Sequence, residues 1–120
     1  MKVLIDDIYV RDNGERRNYK INKHPYYLAL KYKSKDVYEE YVNKNHVQKK
    51  KKSGKWEGFL EIYNSIKDNG FDKNASSIIV KNKNGKMVCE HGRHRMCMLK
   101  YIYKNKSVKI HHDKLKEIVK

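Results

Sequence analysis

Apolar residues along the chain fall into short clusters whose spacing switches between the two-residue period of a strand and the 3.6-residue period of a helix. Residues 2–10, Lys-Val-Leu-Ile-Asp-Asp-Ile-Tyr-Val, are rich in β-branched and aromatic side chains and lead to the turn signal Asp12-Asn13-Gly14, which predicts a first strand. Pro25 suits the first turn of a helix bearing Tyr27, Leu28 and Leu30, and Asp36 is placed to cap a second helix bearing Val37, Tyr38, Tyr41 and Val42. From Trp56, the positions Phe59, Ile62, Tyr63 and Ile66 follow one helical face, and Gly70 stands where a left-handed residue ends a helix. Residues 77–80 and 86–90 read as paired strands, with Asn84-Gly85 as the hairpin signal. A helix through Met96, Leu99, Ile102 and Tyr103 follows, then a strand over 107–111 and a last helix capped by Asp113 and carrying Leu115, Ile118 and Val119. The predicted order β, α, α, α, β, β, α, β, α belongs to an α+β fold with a small mixed sheet flanked by helices.

Size and composition narrow the function. At 120 residues and 38% hydrophobic content the chain suits one domain, here expected to span 1–120, and excludes a two-domain enzyme. Its longest apolar runs, such as Met96-Cys97-Met98-Leu99, are far shorter than the roughly 20 residues of a membrane span. Asp6 and Asp7 interrupt the one apolar stretch near the start, so no secretory segment is drawn and a soluble, cytoplasmic protein without membrane partners is expected. Cys89 and Cys97 are then expected as reduced thiols. The formal charge of +15 favours a polyanionic partner, although lysine-, asparagine-, isoleucine- and tyrosine-rich usage is also what an AT-biased genome writes. Between Glu40 and Glu57 there is no acid and the run Lys49, Lys50, Lys51 and Lys52 leads to Ser53-Gly54, an expected exposed loop.

Chemistry concentrates at Glu90-His91-Gly92-Arg93-His94-Arg95, where a strand ends, passes through a glycine and opens an amphipathic helix. A helix start presents unpaired N–H groups and a partial positive charge, and glycine lets a phosphate approach the backbone. Arg93, His94 and Arg95 add donors, and arginine grips phosphate with two parallel hydrogen bonds where lysine offers a point charge.

Residues 56–111 resemble the ParB/sulfiredoxin superfamily. The resemblance rests on an amphipathic helix reaching Ser65-Ile66, a turn at Asn69-Gly70-Phe71, the strand Ile78-Ile79-Val80, a hairpin, the Gly92-Arg93-His94-Arg95 box with its helix, and a strand at Val108-Lys109-Ile110. It covers about half the chain, and most of it if Leu4-Ile5-Asp6-Asp7-Ile8 is the family's opening strand; 20–55 would then be a helical insertion with a lysine-rich loop. It implies nucleotide binding, since sulfiredoxins use ATP, ParB proteins bind and hydrolyse CTP, and some relatives are kinases of free serine. Carried onto this chain it implies that Gly92, His94 and Arg95 cradle phosphate, that Ser65 supplies a hydroxyl, and that Arg11, Arg16 or Arg17 takes the place of an arginine after the opening strand. Arg93 stands where sulfiredoxin has its catalytic cysteine, which argues against sulfinic-acid reduction. Serine-kinase relatives commonly carry aspartate before the box glycine, whereas here His91 holds that place after Glu90. Glu90, with Asp6 or Asp7, is then the candidate to hold Mg²⁺ or act as a base.

Other readings of the same residues compete. Cys89, His91, His94 and Cys97 are zinc-ligand types within nine residues, but a strand-to-helix change scatters them and paired C-x2-C spacing is absent, so no metal site is assigned. His111 and His112 read as a strand-end surface pair, and His24 as the residue leading into a helix. Tyr19, Tyr26, Tyr27, Tyr32, Tyr38 and Tyr41 could stack on bases but suit packing of helices onto the sheet better. Three functions follow. The first is an ATP- or CTP-dependent, Mg²⁺-requiring phosphotransferase acting on a small-molecule acceptor, or an NTP hydrolase. The second is a DNA-binding or nuclease-like module using residues 49–52 on phosphate backbones, weakened by the lack of a recognisable helix-turn-helix after the box. The third is a noncatalytic module that docks an acidic partner.

Overall fold

The computed structural model describes residues 1–12, 18–45, 55–72 and 77–119. The turn residues Asn13 and Gly14, Arg16, Arg17 and the run Lys49, Lys50, Lys51 and Lys52 lie outside them. Strands β1 (Lys2–Leu4), β2 (Ile8–Arg11), β3 (Asn18–Lys20), β4 (Ile79–Lys83), β5 (Lys86–His91), β6 (Ser107–His111) and β7 (Lys114–Val119) form one sheet in the order β1-β6-β7-β4-β5-β2-β3. Helices α1 (Pro25–Tyr32), α2 (Lys35–Asn45), α3 (Trp56–Asn69) and α4 (Arg93–Tyr103) complete an α+β fold. The β2–β5 pair is parallel and the other ladders antiparallel, so the sheet is mixed, as the element order predicts.

The first predicted strand is in fact two. Ile5–Asp7 forms a 3-10 turn, after which the chain leaves β6 and rejoins the sheet beside β5. This turn is fixed where α4 ends: the Ile5 amide donates to the Lys106 carbonyl, the Asp6 amide to Asn105 Oδ1, and the Asp6 carboxylate pairs with Lys100. Helix α2 is capped by Ser34, whose hydroxyl accepts from the Val37 amide, rather than by Asp36, which sits in the first turn.

The predicted last helix is strand β7. His112 (φ 52°) and Asp113 (φ 65°) make a two-residue turn with both residues left-handed, so Asp113 closes a hairpin instead of capping a helix. The i, i+3 spacing of Leu115 and Ile118 imitates a helical face because the β6–β7 ladder shifts register between Lys109 and Ile110. That bulge lets Leu115 oppose Ile110 and Ile118 oppose Val108, with all four buried. The other hairpin follows its sequence signal: Asn84 (φ 54°) and Gly85 (φ 88°) join β4 to β5, and the Gly85 amide donates to Asn82 Oδ1.

One core joins these parts. Ile8, Val10, Val80 and Cys89 on one sheet face, Met96, Met98 and Leu99 on α4, and Tyr26, Tyr38 and Phe59 on the other helices are all buried within it. Helices α1 and α2 are thus integral to the core of a fold whose sheet they share with residues 56–119, not an appendage to it.

Candidate functional site

At residue 92 the backbone is left-handed (φ 78°, ψ 32°), and Gly92 is the N-cap of α4 with no side chain to satisfy the first-turn amides. Glycine is required by crowding as well as by φ. A Cβ there would lie 2.8 Å from Ile78 Cγ1 and 3.2 Å from Arg95 Nη2, so residues 78 and 95 close directly over the glycine.

The three residues that follow point three ways, because successive helical positions are about 100° apart. Arg93 folds back, its Nε and Nη2 donating to the Glu90 carbonyl at 3.2 and 3.1 Å. His94 turns inward: it is 8% exposed, stacks on Tyr26 with ring centroids 4.1 Å apart, and meets the edge of Phe59 at 5.6 Å. Burial, reinforced by the charges of Arg93 and Arg95, pushes its pKa down to about 4, so the imidazole is neutral at pH 7. The expectation that His94 helps cradle phosphate is therefore corrected: it packs α4 against α1. Its position on the buried stripe His94, Cys97, Met98 is the sequence signal for that role.

Arg95 points outward, half-buried, and donates to the Ser77 carbonyl at 3.2 Å. Burial lowers its pKa somewhat without threatening its charge. With Ser65 it lines an open cavity of about 370 Å³ between α3 and α4, lined also by Ile62, Ile66, Gly70 and Phe71 and by two acids, Glu61 and Asp72. Two residues assigned to phosphate from separate segments thus meet in one cavity, whose volume lies in the range of small-molecule sites. Glu61 was legible in principle, one helical turn before Ser65; Asp72 lies beyond the helix end, and no local pattern marks it.

The predicted acids are elsewhere. Asp7 is exposed in the 3-10 turn beside the end of α4 and does not line the cavity. The Glu90 carboxylate stands across the sheet from Cys89, bound by Arg11 at 3.3 Å, Lys83 at 3.3 Å and Lys81 at 3.7 Å. Burial would raise its pKa, but the hydrogen bond and charge of Lys83, with Lys81 and Arg11, hold it below the usual carboxylate range. A carboxylate so held is a poor base, and neither acid joins Ser65 and Arg95.

The thiols are inert. Both cysteines are buried; burial pushes Cys89 up to about 12 and Cys97 well above the usual thiol range. Among the described residues no group of three or more His, Cys, Asp or Glu side chains is placed to hold a metal ion. His24 caps α1, its Nδ1 accepting from the Tyr26 amide at 3.1 Å, and joins Tyr19, Tyr26 and Tyr41 in an aromatic cluster. Tyr41 donates to the buried Asp12 carboxylate at 2.6 Å. Tyr26, Tyr38 and Tyr41 are thereby committed to the core, while Tyr32 is exposed. No helix among the described residues is long and apolar enough to cross a membrane. Compared with protein-family models, curated proteins and solved structures, the chain has no match in any of the three.

Proposed function

We propose that the cavity between α3 and α4 binds the phosphate chain of a nucleoside triphosphate, ATP or CTP, together with Mg²⁺, in a ParB/sulfiredoxin-like domain acting as a small-molecule phosphotransferase or NTP hydrolase. The observation that carries this is the meeting of Ser65 and Arg95 in one cavity, beside a helix start that only glycine fits. Arg95 supplies a guanidinium fork, Ser65 a hydroxyl, and the uncapped first turn of α4 adds backbone donors at the same end of the helix as Arg95.

Glu61 and Asp72 take the role that the sequence offered to Glu90 and Asp7. Carboxylate oxygens suit Mg²⁺, which keeps several waters and binds through one or two carboxylates and the phosphates of its substrate. Held by these two carboxylates, a cation there would neutralise phosphate charge, so that Glu61 and Asp72 serve the nucleotide rather than oppose it. Without the cation these acids repel a triphosphate, so binding should require Mg²⁺.

Thermal unfolding tests this directly. ATP or CTP with Mg²⁺ should raise Tm through preferential binding to the folded state, and neither should do so in EDTA. Arg95→Ala should remove the shift while leaving a folded protein. A protein whose Tm responds to no nucleotide at millimolar concentration does not have this function.

A further inference from the structure

The sheet face opposite the helices carries a second constellation. Paired residues in a sheet project to the same side. Tyr9 is paired with Lys20 on β3 and Val88 on β5, Val88 with Lys81 on β4, and Lys83 with Lys86; Arg11 and Glu90 stand two residues beyond Tyr9 and Val88. These residues therefore share one face, while Val10, Val80 and Cys89 point the other way into the core. Lys20, Lys81, Lys83 and Lys86 are exposed, and Arg11 and Tyr9 half-buried. Among the described residues of this face five cations surround one carboxylate, Glu90, which binds three of them, so the patch keeps a large positive excess. Tyr9 lies among them, with the Lys86 ammonium 5.0 Å from its ring centroid.

We propose that this open face, built by β3, β2, β5 and β4, binds single-stranded nucleic acid, with Arg11, Lys20, Lys81, Lys83 and Lys86 on the phosphates and Tyr9 as a stacking platform. Charge complementarity selects a polyanion. Alternate residues on a strand recur every ~6.6 Å, so Lys81 and Lys83 present charges in a row suited to a repeating backbone. The aromatic ring within the cationic field selects exposed bases, which a duplex hides within its stack. This surface is independent of the α3–α4 cavity and survives if that cavity binds no nucleotide.

Fluorescence anisotropy of the full chain with a labelled oligothymidylate, the matching duplex and polyphosphate as competitor tests the assignment. The oligothymidylate should bind more tightly than the duplex, with affinity falling as salt rises. The triple variant Lys81→Gln, Lys83→Gln and Lys86→Gln should weaken binding at least tenfold at low salt and flatten the log–log salt slope by about 2, near 0.7 for each charge on a single strand. Tyr9→Ile should weaken binding several-fold at unchanged slope, and Tyr9→Phe should restore it. Should the triple variant melt early, the pair Arg11→Gln and Lys20→Gln provides the same comparison on other strands. No binding at low salt, equal displacement by polyphosphate together with an inert Tyr9→Ile, or loss of binding only when Lys49, Lys50, Lys51 and Lys52 become glutamine would each overturn it.

Discussion

At residue 92 one glycine answers two demands that no other side chain meets together. The left-handed backbone costs an L-residue about 1–2 kcal/mol, and a methyl placed 2.8 Å from Ile78 adds an overpacking cost of similar size. Gly92→Ala should therefore destabilise the fold by about 2–4 kcal/mol, read as a lower urea midpoint at unchanged m-value. The effect reaches beyond stability, since the displaced neighbours are Ile78 and the Arg95 guanidinium at the cavity. The box residues illustrate what sequence reading can and cannot resolve. That Gly92, Arg93, His94 and Arg95 open a helix was legible from the strand ending before them and the apolar stripe after. Which of them face the α3–α4 cavity is not legible in the motif, because a motif lists neighbours in sequence while a helix separates neighbours in space.

Among the elements, the strands and helices with a clean period were found and those with a broken one were not. Helix α3 is marked by Phe59, Ile62, Tyr63 and Ile66 and ends at Gly70 as its composition requires. Strand β3 is three residues long, too short for any period, and exists because the β2 edge pairs with it. Strand β7 carries the sequence pattern of a helix because its bulge reproduces helical spacing. The two-residue turn before it gives a test at this scale. His112 and Asp113 both occupy left-handed conformations that asparagine and glycine adopt at less cost. The double change His112→Asn and Asp113→Gly should stabilise the protein by about 1 kcal/mol in chemical denaturation, whereas a helix beginning at Asp113 would lose its cap and be destabilised.

For the whole molecule, acidity is the sharpest probe of the core. His24 and His94 are both buried against Tyr26 within the aromatic cluster, and burial pushes them down to about 3 and about 4. Their folded pKa values lie below the ordinary value of 6.5, so the unfolded chain binds more protons than the folded one across the interval between. Stability should hold above pH 6.5 and fall as the pH drops from there toward 4, by about 3 kcal/mol from His94 alone. Urea midpoints measured from pH 7.5 to 4.5 check this, and His94→Phe should flatten the profile. The Nε2 atoms of both imidazoles have no hydrogen-bond partner among the described residues, which makes the cluster costly to assemble and intolerant of charge.

The pairing of β1 with β6 has a consequence for how the molecule is born. Residues 2–4 leave the ribosome well before their hydrogen-bonding partners, residues 107–109, so β1 waits unpaired while the chain between them is made. Nor can β2 find its parallel neighbour until β5 has been synthesised. Assembly of this sheet is governed by contacts distant along the chain, which slows folding and leaves nascent β1 and β2 in need of protection until β5 and β6 emerge.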